Sequence, residues 1–217
     1  MSPRQSASTR HDGLHGTGTA RRVVVVGSGH QHAELRACVA GRTEEPRVAH
    51  QQQSHVKPSG VVETFDVHEL LDDVLEVSAA SWAHDAIEIV RRFEALPPVT
   101  LDRHKMLQIL MNLLANARDA VMTNNPGDRR IIVSVRNAAS GNLEIAVDDN
   151  GCGVDAQHVD QIFGLGFTTK RDGRGLGLHY SACAAGELRG NLTVHSDGIG
   201  SGAAFVLVLP LATAVAA

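Results

Sequence analysis

Aromatic side chains make up only 3 % of this chain, too few to build a stacking platform for single-stranded nucleic acid. Excess positive charge is also lacking. The formal net charge is -4, which leaves no basic footprint for duplex DNA. Cysteine is sparse. Cys38, Cys152 and Cys183 are scattered, odd in number and without ligand spacing, which argues against a disulfide framework and a metal cluster and fits a reducing compartment. The aliphatic run from Val23 to Val26 is far too short to span a bilayer or form a signal core. A soluble cytoplasmic protein is the expectation. What is present is a hydrophobic fraction of 43 % in 217 residues, enough for one sizeable core with extensions.

Residues 1–22 are rich in Ser, Thr, Gly, His and Arg and read as a disordered tail. Arg21 to Gly29 then reads as a buried strand entering a glycine turn, with a helix over Ala33 to Ala40. This is part of a dinucleotide fingerprint. The second strand and the acid about 20 residues on do not follow, so an orphaned, marginal element is the better reading. Val48 to Lys57 suits a helix ended by Pro58-Ser59-Gly60.

From residue 61 the pattern becomes regular. Asp66 is placed to N-cap a helix whose apolar stripe is Val67, Leu70, Leu71, Val74, Leu75 and Val77. Ala86 to Val90 reads as a strand and Val99 to Leu101 as a short extended piece. Asp102 or Arg103 opens the strongest helix, which runs to about Met122 and packs Leu107, Leu110, Leu114, Ala117 and Val121 on one face. Asn124-Asn125-Pro126-Gly127 stops it. Arg130 to Arg136 and Leu143 to Val147 form a hairpin around Gly141-Asn142. A short helix over Asp155 to Phe163, a mobile glycine loop over Gly164 to Leu178 and a helix over Leu178 to Leu188 follow. Asn191 to His195 and Ala203 to Leu209 close the series as strands. This order predicts an α+β fold, a two-layer sandwich with helices on one face of a mixed, mostly antiparallel sheet.

Three stretches carry chemistry. The strand Leu143 to Val147 ends in Asp148-Asp149-Asn150-Gly151-Cys152-Gly153. An ionised carboxylate at a sheet end only accepts hydrogen bonds, and bare glycine backbone beside it lets a flat ligand approach. That suits an exocyclic amine such as adenine's, although Asp-Asn-Gly is also an ordinary turn. Asn112 and Asn116 share one face of the strong helix, with Asp119 on the same side. Their amide oxygens suit a Mg²⁺ ion that takes its other oxygens from phosphates and water, or they are a solvated polar face. Gly173-Arg174-Gly175-Leu176-Gly177-Leu178 opens a helix, with Lys170 and Arg171 nearby. Free N–H groups there form an anion site, or the stretch is a flexible surface loop. No apolar strand precedes these glycines, so they resemble a lid over phosphates rather than a Rossmann turn.

Taken in order, Asn112-x-x-x-Asn116-Ala117, Asp149-x-Gly151-x-Gly153, Phe163-x-x-x-Phe167-Thr168-Thr169-Lys170, Gly173-x-Gly175-Leu176-Gly177-Leu178 and Gly200-Ser201-Gly202-Ala203 resemble the ATP-binding catalytic domain of bacterial sensor histidine kinases. That domain belongs to the wider ATPase group that includes gyrase B, Hsp90 and MutL. The resemblance covers roughly residues 61–211. It implies ATP and Mg²⁺ as cofactors, with Asn116 on the metal and Asn112 beside it at the triphosphate. Asp149 would bind the adenine amine, with Gly151 and Gly153 against the base. Gly173, Gly175, Leu176, Gly177 and Leu178 would hold phosphates, and Lys170 would be a lid contact. In the gyrase and Hsp90 branches a Glu that activates water stands where this chain has Asn112. An Asn is no general base, so the resemblance implies phosphoryl transfer to a protein histidine, with slow hydrolysis or a non-catalytic ATP-binding module as the alternatives.

The family's histidine-bearing dimerisation hairpin is not visible. Gln51 to Gly60 resembles the last turns of its second helix, and His30, His32, His50 and His55 all lack the acceptor setting. The expected organisation is an atypical segment at 1–45, a hairpin remnant at 46–60, the catalytic domain at 61–211 and a tail at 212–217. The hairpin and a response regulator are expected as partners in trans, with no nucleic acid.

Overall fold

A computed structural model of the chain describes residues 22–26, 60–138, 141–170 and 173–211. The expected segments at 1–21 and 27–59, including the helices at Ala33 to Ala40 and Val48 to Lys57, lie outside the described residues, as does the tail. The main chain of Arg22–Val26 forms strand β1. Then come β2 (Val62–Phe65), α1 (Val67–Ser81), β3 (Glu88–Phe93), β4 (Val99–Asp102), α2 (Arg103–Val121), β5 (Arg130–Ala138), β6 (Asn142–Asp149), α3 (Gly177–Glu187), β7 (Asn191–Ser196) and β8 (Ala203–Pro210).

Six strands form one sheet in the order β1-β7-β8-β6-β5-β3, and β2 pairs with β4 in a separate ribbon. Among the described residues only the β3–β5 contact is parallel. The sandwich is therefore as the alternation predicts. β1 is not orphaned, since Val24 lies opposite Val194 at the sheet edge.

Period-two alternation fixes which side of the sheet is covered. Ile131, Val133 and Val135 of β5, Leu143, Ile145 and Val147 of β6, and Phe205, Leu207 and Leu209 of β8 are all buried. In register, Val147 lies between Val133 and Phe205, and Ile145 lies between Val135 and Leu207. Against this face α2 lays Met106, Ile109, Leu110, Leu113, Leu114, Ala117 and Val121. Asp102 caps it, accepting the Lys105 N–H at 3.1 Å. It also accepts the Gly60 N–H at 2.8 Å, so one carboxylate starts the helix and fixes the chain entering β2.

Four local readings are corrected. Val77 is 61 % exposed; it lies off the buried face of α1, which ends its stripe at Ser78. The strand expected at Ala86 to Val90 is displaced to Glu88–Phe93. β2 forms where only a helix start was read, because it pairs with β4, a non-local partner. Residues 155–163 make separate turns, His158 N–H to the Asp155 carbonyl and Gln161 N–H to the His158 carbonyl, instead of a helix. Val159, Ile162 and Phe163 anchor that segment by burial, so apolar spacing there reflects packing and not a continuous helical ladder.

Candidate functional site

The parity of β6 explains the acid. Asp149 continues the inward series Leu143, Ile145, Val147, so its carboxylate turns toward the helix layer and is 9 % exposed. Burial pushes its pKa up to about 6, against the opposing pull of hydrogen bonds from the Gly151 and Ala203 backbone. The Gly151 N–H donates to Asp149 Oδ1 at 2.9 Å. A carboxylate held at that cost stays ionised at neutral pH and is a strong acceptor for any N–H presented to it.

The chain beyond Asp149 is clamped on both sides. The Cys152 N–H donates to the Ala120 carbonyl at the end of α2, at 3.2 Å, and the Gly200 N–H donates to the Cys152 carbonyl at 2.7 Å. Asn150 ties the loop to the preceding turn, donating to the Asp128 carbonyl at 2.6 Å and accepting the Arg130 N–H at 2.9 Å. A side chain at Gly151 would overlap the Ala120 carbonyl, and one at Gly153, whose φ is +69°, would overlap the Gly198 carbonyl oxygen. These glycines are set by close backbone packing. Partial burial and the Asp149 charge raise the Cys152 thiol above its ordinary value, but the residue is exposed on the cleft wall and is not the small filler that its place between two glycines suggests.

Opposite this loop runs the polar flank of α2. Asn112 Nδ2 donates to the Gly177 carbonyl at 3.3 Å and to Ser181 Oγ at 3.2 Å, bracing α2 against the start of α3. Lys170 Nζ donates to Asn116 Oδ1 at 3.0 Å and to Asp119 Oδ2 at 2.6 Å. Two oxygens of α2 thus converge on one cationic head. Both oxygens accept from that ammonium, and side-chain oxygens are also the ligand type that hard cations take.

The described parts of the loop between Phe163 and α3, residues 164–170 and 173–176, border the space. The loop root is pinned where the Gly166 N–H donates to the Gly175 carbonyl at 3.1 Å, and buried His179 binds the Phe163 carbonyl through Nδ1 at 3.0 Å. Leu176 caps α3 without a side-chain hydrogen bond, which leaves the first-turn N–H groups without a side-chain acceptor. Together these elements enclose a cleft of about 870 Å³ whose wall includes Asn112, Asn116, Asp149, Lys170 and Arg174. The acid and apolar Ile162, Ala203 and Phe205 line it along with a cationic, amide-rich region.

Residues 101–213, just over half of the chain, match the model of the histidine kinase-, DNA gyrase B-, and HSP90-like ATPase family. The chain belongs to that family. Within it, the chain is similar to sensor histidine kinases. It is 32 % identical over 196 residues to the sensor histidine kinase ZraS of Escherichia coli (strain K12), covering 88 % of this chain and 40 % of ZraS. It is 31 % identical over 165 residues to the sensory histidine kinase/phosphatase NtrB of Rhizobium meliloti (strain 1021), covering 70 % of this chain and 42 % of that protein. The chain therefore spans about two fifths of the length of these relatives. Among solved structures it resembles full-length ShkA in complex with AMPPNP, with a TM-score of 0.63 and 28 % identity over 71 % of this chain and 32 % of that one. It also resembles the mycobacterial sensor histidine kinase MprB, with a TM-score of 0.59 and 25 % identity over 70 % of this chain and 98 % of that one.

For this histidine-kinase-type ATP-binding domain, the residues singled out in the sequence stand as follows. Asn112, Asn116, Asp149, Gly153, Lys170, Gly173, Gly175, Leu176, Gly177 and Leu178 all line the one cleft. Gly151 does not line it; it is buried against Ala120. Ile162, Ile199 and Phe205 also line it and were not foreseen, as does Ala203, which the sequence placed in a motif without a role. Ala203 and Phe205 share one face of β8, while Ile162 and Ile199 come from turns. Among the described residues no group of three or more His, Cys, Asp or Glu is arranged for a metal, and no helix is long and apolar enough to cross a membrane.

Proposed function

We propose that residues 61–211 form a catalytic domain that binds ATP with Mg²⁺ and passes the γ-phosphoryl group to a histidine of a dimerisation hairpin, for relay to a response regulator in the cytoplasm. On this reading residues 46–60 are the end of such a hairpin and 1–45 an atypical extension. The observation that carries the proposal is the buried, amine-seeking carboxylate of Asp149 in the same cleft as Asn116, Lys170 and the uncapped start of α3. Similarity to sensor kinases such as ZraS supports the same reading.

In this scheme Asp149 accepts a hydrogen bond from the adenine amine, which rewards the ionised form and offsets its burial. Gly153, Ile162, Ala203 and Phe205 border the base. Arg174, Lys170 and the N–H groups from Gly175 to Leu178 face the phosphate tail. Mg²⁺, when bound, would be held by Asn116 and would neutralise phosphate charge. Asn112 has its amide N–H groups on the Gly177 carbonyl and Ser181 Oγ and has no basic atom, so no side chain at that position prepares water for attack. Phosphoryl transfer asks chiefly for positioning and charge neutralisation, and the acceptor imidazole brings its own nucleophile.

The test is incubation with labelled ATP, with and without a sensor-kinase hairpin supplied in trans. Acid-labile label on the hairpin histidine is the expected result. Tight ATP binding with no label on any hairpin would reduce the domain to a binding module.

A further inference from the structure

Lys170 is on the lid, yet its ammonium rests on α2. Its two partners there are Asn116 Oδ1 at 3.0 Å and Asp119 Oδ2 at 2.6 Å. Asp119 is itself steadied by Arg118, whose NH1 lies 3.7 Å from Oδ1, and Arg118 donates to Asp85 Oδ2 at 2.7 Å. The other carboxylate oxygen of Asp119 is thereby left for the lid. Lys170 is the next residue after Thr168-Thr169, and its own N–H bonds Thr168 Oγ1 at 3.1 Å, so the ammonium on α2 tethers that turn to the helix through the lysine stem.

We infer that Lys170 is a built-in competitor for the metal: it occupies the Asn116 oxygen, Asp119 is the positioning residue that parks it there, and a divalent cation must displace it. This rests on the reading of Asn116 as the Mg²⁺ residue. A metal at ordinary Mg–O distance from that oxygen would stand within about 5 Å of an ammonium left at 3.0 Å. Like charges so close repel, so Mg²⁺ and the docked lysine exclude one another. Loading the metal releases Lys170 and the lid turn from α2, and frees a cation that lines the same cleft. Lys170 and Asp119 are 45 % and 42 % exposed. Solvent screens such a pair, so displacement is easy and the effect is a few-fold one.

The test uses ADP, which has no γ-phosphate for the lysine to touch. ADP affinity is measured against free Mg²⁺ for the wild type, Lys170→Met and Lys170→Arg. The expected result is that Lys170→Met lowers the Mg²⁺ concentration giving half the full effect by roughly two- to fivefold, while Lys170→Arg stays near the wild type. In the ligand-free protein, Asp119→Asn should speed amide exchange across 164–170 and leave α3 unchanged. An unmoved or raised Mg²⁺ midpoint in Lys170→Met, with Mg²⁺-dependent ADP binding intact in the wild type, overturns the competition and leaves the nucleotide site standing. Wild-type protein that binds no ADP at any Mg²⁺ concentration overturns the nucleotide reading and the competition with it.

Discussion

Asp149 and Lys170 line the same cleft, but the first is 9 % exposed and the second 45 %. Asp149 ends a strand locked on both sides, opposite Ile131 and Ala203, beneath a helix whose inner face is closed. Lys170 is held by side-chain bonds to Asn116 and Asp119 and by a turn. A buried acceptor can be aimed at a base only if the surrounding core refuses to move. A cation that must yield to another cation needs the reverse, contacts weak enough to exchange. On the proposed reading the site divides into a fixed end that recognises and an exchangeable end that loads.

The division predicts unequal responses to truncation. Leu114 on α2 is 1 % exposed, whereas Leu165 on the lid is 69 % exposed. Leu114→Ala should lower the unfolding free energy by about 2–5 kcal/mol, and Leu165→Ala by less than about 0.5 kcal/mol. Urea titrations of both variants check this. Equal losses would erase the distinction between floor and lid.

The floor should also carry a stored cost. In the folded chain Asp149 has its pKa raised from 3.8 to about 6. The folded state therefore holds that proton more tightly than the unfolded one, and stability falls as pH rises from about 4 through 6. The full shift corresponds to about 3 kcal/mol. Asp149→Asn should accordingly stabilise the ligand-free domain at pH 8, by no more than about 3 kcal/mol, with the gain vanishing near pH 4. Thermal melts across that range decide it, and a loss of stability at pH 8 would show that the carboxylate is a structural asset.

Asp149→Ala should weaken ATP binding by about 1–3 kcal/mol, since the amine loses its acceptor, and calorimetry reads that directly. The smallest effect belongs to the exchangeable end. Asn116→Ala should flatten the Mg²⁺ dependence of ATP binding while leaving metal-free binding close to the wild type. A full Mg²⁺ response in that variant would move the metal elsewhere.

The two ends also differed in how far the sequence revealed them. α2 was legible almost to the residue, because Asp102 supplies a cap and the apolar spacing is sustained over many turns. The acid at the end of β6 was legible because Asp149 is followed by Gly151 and Gly153 at a strand end; its parity with Val147 is what the structure adds. Gly151 and Gly153 stood out as glycines, but their cause, the carbonyls of Ala120 and Gly198, lies far along the chain. The same holds for β2, which exists because β4 does. Residues 155–163 misled because Val159, Ile162 and Phe163 are buried without a helix to space them. The hydrogen bonds of Lys170 to Asn116 and Asp119 join parts of the chain that no local pattern connects.

The central claim is that Asp149 reads an exocyclic amine. Calorimetric titration of the wild-type domain with ATP and, separately, GTP at saturating Mg²⁺ tests it most directly, because guanine presents a carbonyl oxygen where adenine presents its amine. ATP should bind at least roughly tenfold more tightly than GTP, the scale of one lost buried hydrogen bond. Equal affinity for the two nucleotides would contradict the account.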